Sequence, residues 1–142
     1  MTLLSEAHVL AETSQLSSCV LDSLLELHFG TYALGVSRRL TSVAYLPAVG
    51  LEPASSLELG VRDVAHAVGV ARENGMALRI GDLYLEAAGE AIKYGLETGR
   101  KCDSSAVYGV VRRRAGLEFE TRVVRERDGM GEGEGGGVME VG

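Results

Sequence analysis

The chain has 142 residues, 46% of them hydrophobic, and a net charge of −6. That length supports one ordinary core, and the acidic balance disfavours a general nucleic-acid coat or an anionic membrane as partner. No apolar run approaches the ~18 residues of a membrane span, and MTLLSEAHVL lacks a basic leader start, so a cytoplasmic protein with reduced Cys19 and Cys102 is expected.

Twelve Arg stand against two Lys, and fifteen Glu against one Asn and one Gln. Scarce amides beside abundant Glu fit a hot-living source. The arginine bias adds less, since a GC-rich genome produces it too.

Residues 3–29 read as helical. Val9, Leu16, Val20, Leu24 and Leu27 fall on one stripe, with a break expected in ETSQLSS and a stop at Gly30. In this reading His28 occupies the last turn, where the helix dipole favours a cation. Cys19, beside Val20, reads as a small buried hydrophobe.

Tyr32, Leu34 and Val36 alternate, as do Thr41, Val43 and Tyr45, which predicts two short strands around Arg38 and Arg39. Pro47, Gly50 and Pro53 mark a loop. Ser55 and Glu58 have capping-box spacing for a helix that buries Leu57, Val61, Val64, Ala65, Val68 and Ala71 and ends at Asn74-Gly75. MALRI (76–80) predicts a strand. Asp82 is expected to cap a helix over roughly 83–98, stopped by Gly99, whose Ala87, Ala88, Ala91 and Gly95 allow close packing on a sheet.

SAVYGVVRRRAGLEFETRVVRE (105–126) reads as a hairpin. A three-residue turn with Gly116 in the left-handed position pairs Val111 with Phe119, Val107 with Val123, Arg112 with Glu118 and Tyr108 with Arg122. The resulting expectation is a single two-layer α+β domain over 1–128: about five mainly antiparallel strands with three helices on one face.

Residues 129–142 contain the spacing G-x-G-x-x-G at Gly131, Gly133 and Gly136. Only six residues follow, too few for the helix that a phosphate loop needs, and Glu132 and Glu134 would repel a phosphate. The segment is expected to be a flexible, acidic, glycine-rich tail without nucleotide.

His8 with Glu12 and Asp63 with His66 have spacings that could each offer two metal ligands, but no third or fourth ligand is apparent, so neither metal nor cofactor is expected. Ser17, Ser18 and Cys19 lack the surroundings of a nucleophile, and Ser104 and Ser105 read as turn residues. The arginines at 112–114, 122, 125 and 127 are interleaved with Glu118, Glu120, Glu126 and Asp128 and have no row of stacking aromatics, so nucleic acid is disfavoured.

His28, Tyr108, Glu26, Asp82 and Asp103 lie at or near element ends, where sites are often built. His28 as base and Tyr108 as acid are the candidate catalytic pair. In the expected arrangement of helices on an antiparallel sheet, with FGT after His28 and Tyr108 on a late hairpin, the chain is similar to the tunnelling-fold enzymes that bind pterins and purines. Their pattern does not include the third helix. The resemblance implies a small-molecule-handling protein, catalytic or not, acting on a polar heterocycle or anion. The alternative is a non-catalytic interaction subunit that docks a partner through its arginine-rich hairpin. Open sheet edges predict a homo-oligomer.

Overall fold

The computed structural model describes residues 1–129. Its elements are α1 (Thr2–Thr13), α2 (Ser18–Thr41), a 3-10 turn (Val43–Tyr45), α3 (Leu57–Glu73), α4 (Arg79–Thr98), α5 (Val107–Arg114) and α6 (Arg122–Arg127). Among the described residues there is no strand, and the β-type pairing present is one isolated bridge between Ser56 and Asp103. The expected α+β sheet is therefore incorrect, and the fold is all-helical. The tail's G-x-G-x-x-G spacing lies outside the described residues.

The reason for the correction can be seen in each segment. In residues 31–41 the alternation of Tyr32, Leu34 and Val36 competes with a three-residue repeat, and it is Leu34, Ser37 and Leu40 that are buried. Helical periodicity wins because this face lies against the rest of the bundle. MALRI supplies the start of α4, with Arg79 and Ile80 already helical.

The predicted hairpin is the helix pair α5 and α6, joined by a loop. Val107, Tyr108 and Val110 are all buried, which one face of a strand could not achieve. Phe119 is in the core as expected, but Val123 is exposed and Val124 takes the buried position. Arg112 does reach residue 118, through Nε to the Glu118 carbonyl at 2.9 Å rather than to its carboxylate.

Other boundaries follow the sequence more closely. ETSQLSS separates α1 from α2. At Gly30 the backbone turns to φ 77°, ψ −177°, so α2 is broken there before it resumes. Asn74 ends α3, and Gly99, left-handed at φ 68°, ends α4. The cap of α3 is Ser56, accepting from the Leu59 amide at 3.2 Å, because the neighbouring Ser55 amide is engaged by Asp103. Asp82 lies in the first turn of α4 and pairs with Arg72 at 2.7 Å instead of capping the helix.

The small-residue face of α4 packs between α3 and α5, not on a sheet. The aromatic core is compact. Phe119 stacks on Tyr94 at 3.7 Å, and Tyr45 meets Tyr108 edge-on at 5.5 Å. An added Cβ on Gly109 would come within 2.5 Å of the Phe119 ring, so glycine sets that approach. Tyr45 donates to the Phe119 carbonyl at 3.1 Å and accepts from the Thr121 amide at 2.8 Å, fixing the loop before α6.

Asp103 is the polar centre of the fold. Its fully buried carboxylate accepts Arg39 Nη2 at 2.8 and 2.9 Å, the Ser55 amide at 3.0 Å, and the Ser105 amide and hydroxyl at 3.0 and 2.6 Å. It joins the end of α2 to the approaches of α3 and α5. Asp103→Ala leaves several donors stranded, and a loss of ~3–5 kcal/mol in urea denaturation is expected. Arg39→Ala should cost less, about 1–3 kcal/mol, because the carboxylate keeps three donors. Equal costs, or a near-neutral Asp103→Ala, would show that the carboxylate does not hold the loops.

Candidate functional site

A cavity of about 370 Å³ opens between α1, α2, α5 and the approach to α6. His8 and Glu12 reach it from α1, Tyr108 and Arg112 from α5, and Ser18, Thr41 and Arg122 also line it. His8 and Tyr108 are each 3% exposed and Arg112 is 5% exposed, so these three are core residues with an edge on the cavity.

Helical spacing explains the arrangement. His8 and Glu12 are one turn apart on α1, and Tyr108 and Arg112 one turn apart on α5. The two helices pack together, which sets the His8 and Tyr108 rings edge-on with centroids 6.3 Å apart. The Arg112 guanidinium carbon lies 5.6 Å from the centre of the Tyr108 ring.

Behind His8 runs a relay. Ser37 Oγ donates to Asp22 Oδ1 at 2.8 Å and lies 2.6 Å from His8 Nε2. A hydroxyl has one hydrogen, and a carboxylate can only accept. Ser37 therefore spends its hydrogen on Asp22, and His8 Nε2–H donates to Ser37. Burial lowers the His8 pKa, partly offset by the charge of Asp22. The neutral ring thus carries its proton on Nε2 and leaves the Nδ1 lone pair without a protein donor among the described residues.

Beside His8, the Tyr108 hydroxyl accepts a long 3.4 Å bond from Arg112 Nη1, while its own hydrogen has no acceptor among the described residues. Burial raises the Tyr108 pKa, so the phenol stays protonated and able to donate. Arg112 commits Nε to Glu118 and Nη1 to Glu12 and Tyr108, leaving Nη2 without a hydrogen bond among the described residues.

The sequence-derived pair is separated in character. Tyr108 is at the cavity, whereas His28 is exposed on α2 beside Phe29 and is not among the lining residues. Glu26 is likewise exposed, and Asp103 serves the fold. His8, which the sequence offers only as half of a metal-ligand pair with Glu12, is instead a buried residue at the cavity. Its place among Val9, Ala11 and Ser5 on the buried face of α1 was the available signal.

Cys19 is exposed, contrary to the buried position expected from Val20 beside it. Cys102 is buried, and burial pushes its thiol up to about 11, unsuited to a nucleophile at neutral pH. Asp63 and His66 are exposed, and no group of three metal-ligating side chains forms among the described residues. The arginine cluster is dispersed. Arg112 is buried, Arg114 pairs with Glu86 and Glu90 of α4, and Arg122 pairs with Glu126.

Comparison of the chain with protein-family models, curated proteins and solved structures finds no match. The tunnelling-fold resemblance depended on an antiparallel sheet and a late hairpin, and the described residues contain neither. No described helix is long and apolar enough to cross a membrane.

Because burial is the larger effect on His8, its titration should fall below the ~6.5 of a free imidazole. The unfolded chain then takes up this proton first, so the associated stability is lost as pH falls from ~6.5 through the folded value. Nitrogen-15 NMR should report the Nε2-protonated form in the wild type and both neutral forms after Ser37→Ala. An unchanged tautomer in that variant would remove Ser37 from the relay.

Proposed function

We propose that this protein binds a small molecule with an anionic group in the cavity between α1, α2 and α5. One observation carries the reading: Arg112 is a buried lining residue whose Nε and Nη1 are held by protein and whose Nη2 has no hydrogen bond among the described residues. A guanidinium edge fixed in this way is preorganised for a carboxylate or phosphate oxygen. Arg122 lies at the rim, where it is paired with Glu126, and Glu12 is paired with Arg112. The volume lies near the small end of the ~300–1,000 Å³ range of ligand sites, so the ligand is small. We take its location to be the cytoplasm, on the composition of the chain.

Malonate and malonamide, matched in size and compared at equal ionic strength, test the charge requirement. Malonate is expected to raise the melting temperature, since a ligand at ~100 times its Kd stabilises by about 2.7 kcal/mol, and malonamide is not. Arg122→Gln, a change at an exposed position, should weaken the malonate effect. Equal shifts with both compounds would count against an anion site.

A second reading, an interaction subunit, rests on α2. Val20, Leu24 and Leu27 there share one face and are 46%, 47% and 77% exposed. A second copy pairing through this face would bury apolar surface on both chains and give a two-fold homo-oligomer. Sedimentation of the wild type is expected to give a dimer, and a Leu24→Glu, Leu27→Glu double variant a monomer. A monomeric wild type at every concentration tested would dismiss this reading.

A further inference from the structure

We infer that the cavity is built for proton transfer, with His8 as base and Tyr108 as hydrogen-bonding acid toward a short 2-oxo carboxylate. The inference rests on the anion-binding reading above and adds a reaction to it.

The three buried side chains offer three different capacities. Arg112 Nη2 offers a donor with full positive charge, the Tyr108 hydroxyl offers a neutral donor, and His8 Nδ1 offers a lone pair. Among the described residues the buried side-chain atom without a hydrogen-bond partner is Arg100 Nε, so His8 Nδ1 and Arg112 Nη2, which also have none, are reachable by solvent although their residues are at least nine-tenths buried. All three residues line one cavity, where a ligand can replace the water that meets these atoms in the free protein.

A complementary molecule needs an anion, a neutral acceptor oxygen and an acidic hydrogen within a few bonds. The rings of His8 and Tyr108 are 6.3 Å apart and Arg112 is one helical turn from Tyr108, which restricts the molecule to a short one. A 2-oxo carboxylate has this composition: the carboxylate for Arg112, the carbonyl oxygen for Tyr108, and a C3–H for His8.

The step balances without a further reactant. The C3–H bond breaks and its proton bonds to His8 Nδ1. The electron pair forms the C2–C3 double bond, and the carbonyl π pair moves to the oxygen, which accepts the Tyr108 hydrogen bond. The imidazolium keeps its Nε2–H on Ser37, and Asp22 stabilises it through that hydroxyl. Ser37 and Asp22 are positioning residues. Return of a solvent-exchanged proton to C3 closes the cycle.

The test is deuterium incorporation at C3 of pyruvate in D2O, followed by proton NMR against a protein-free control, with the melting temperature measured in parallel. Wild-type protein is expected to exchange the methyl protons faster than buffer. His8→Gln should lose about 100-fold or more, within the range of general acid–base contributions. Tyr108→Phe, which keeps the ring, should lose about tenfold or more, and it decides the matter if His8→Gln does not fold. Besides Asp22, the charges around His8 are Arg38, which pairs with Asp22, and the Glu12 and Arg112 pair at the cavity. Asp22→Asn keeps an acceptor for Ser37 but removes a charge that raises the His8 pKa, so the inflection of the pH–rate profile should move to lower pH. Wild-type exchange no faster than buffer, with anions still stabilising the fold, overturns this inference and leaves the binding site. Stabilisation by no anion overturns both. Tyr108→Phe or His8→Gln exchanging at the wild-type rate also overturns it.

Discussion

A single carboxylate organises the connections of this bundle. The segments before α3 and α5 have little regular structure, and both converge on Asp103. The Asp103 amide also donates to the Tyr45 carbonyl at 3.2 Å, so the aromatic core is tied to the same point. Replacing a buried ion pair by apolar groups is often close to neutral in stability, whereas removing one partner is costly. The role of Asp103 is thus best understood as geometric. It sets where α5 begins, and the start of α5 sets where Tyr108 and Arg112 meet the cavity.

The arginine-rich composition has a matching structural use. Arg39 grips both oxygens of Asp103. Arg100 reaches Glu120, Asp128 and the Pro47 carbonyl, and Arg127 reaches Asp128 and the carbonyls of Val43 and Leu46. Arg100 and Arg127 each use a planar fork to bind several oxygens at once, which a lysine ammonium on its flexible stem does less well. Arg39, by contrast, reaches both Asp103 oxygens through Nη2 alone. Arg100 Nε has no partner among the described residues, so this network is not fully satisfied. With two Phe and no Trp in the chain, such polar clusters supplement a small aromatic core.

The legibility of the fold followed helix length and caps. Leu57, Val68, Ala87, Ala88 and Ala91 announced α3 and α4 because their spacing extends over several turns and glycine or asparagine ends each helix. The shorter α5 did not. Val107, Tyr108, Val110 and Val111 satisfy a period of two as readily as 3.6 over so few residues, and valine's β-propensity tipped the reading. The site was half visible. Tyr108 stood out, and His8 with Glu12 was noticed as a pair, but their partners Ser37 and Arg112 are 29 and 100 residues away. Contacts of that sequence separation leave no periodic trace in one chain.

The break at Gly30 divides α2 into two unequally anchored halves. Beyond it, the N-terminal half of α2 is secured by few buried side chains, Leu25 among them, yet it carries Asp22 of the His8 relay and Ser18 at the cavity mouth. That half-helix therefore carries two things at once, the exposed apolar side chains of Val20, Leu24 and Leu27 and the carboxylate that holds the Ser37 hydroxyl.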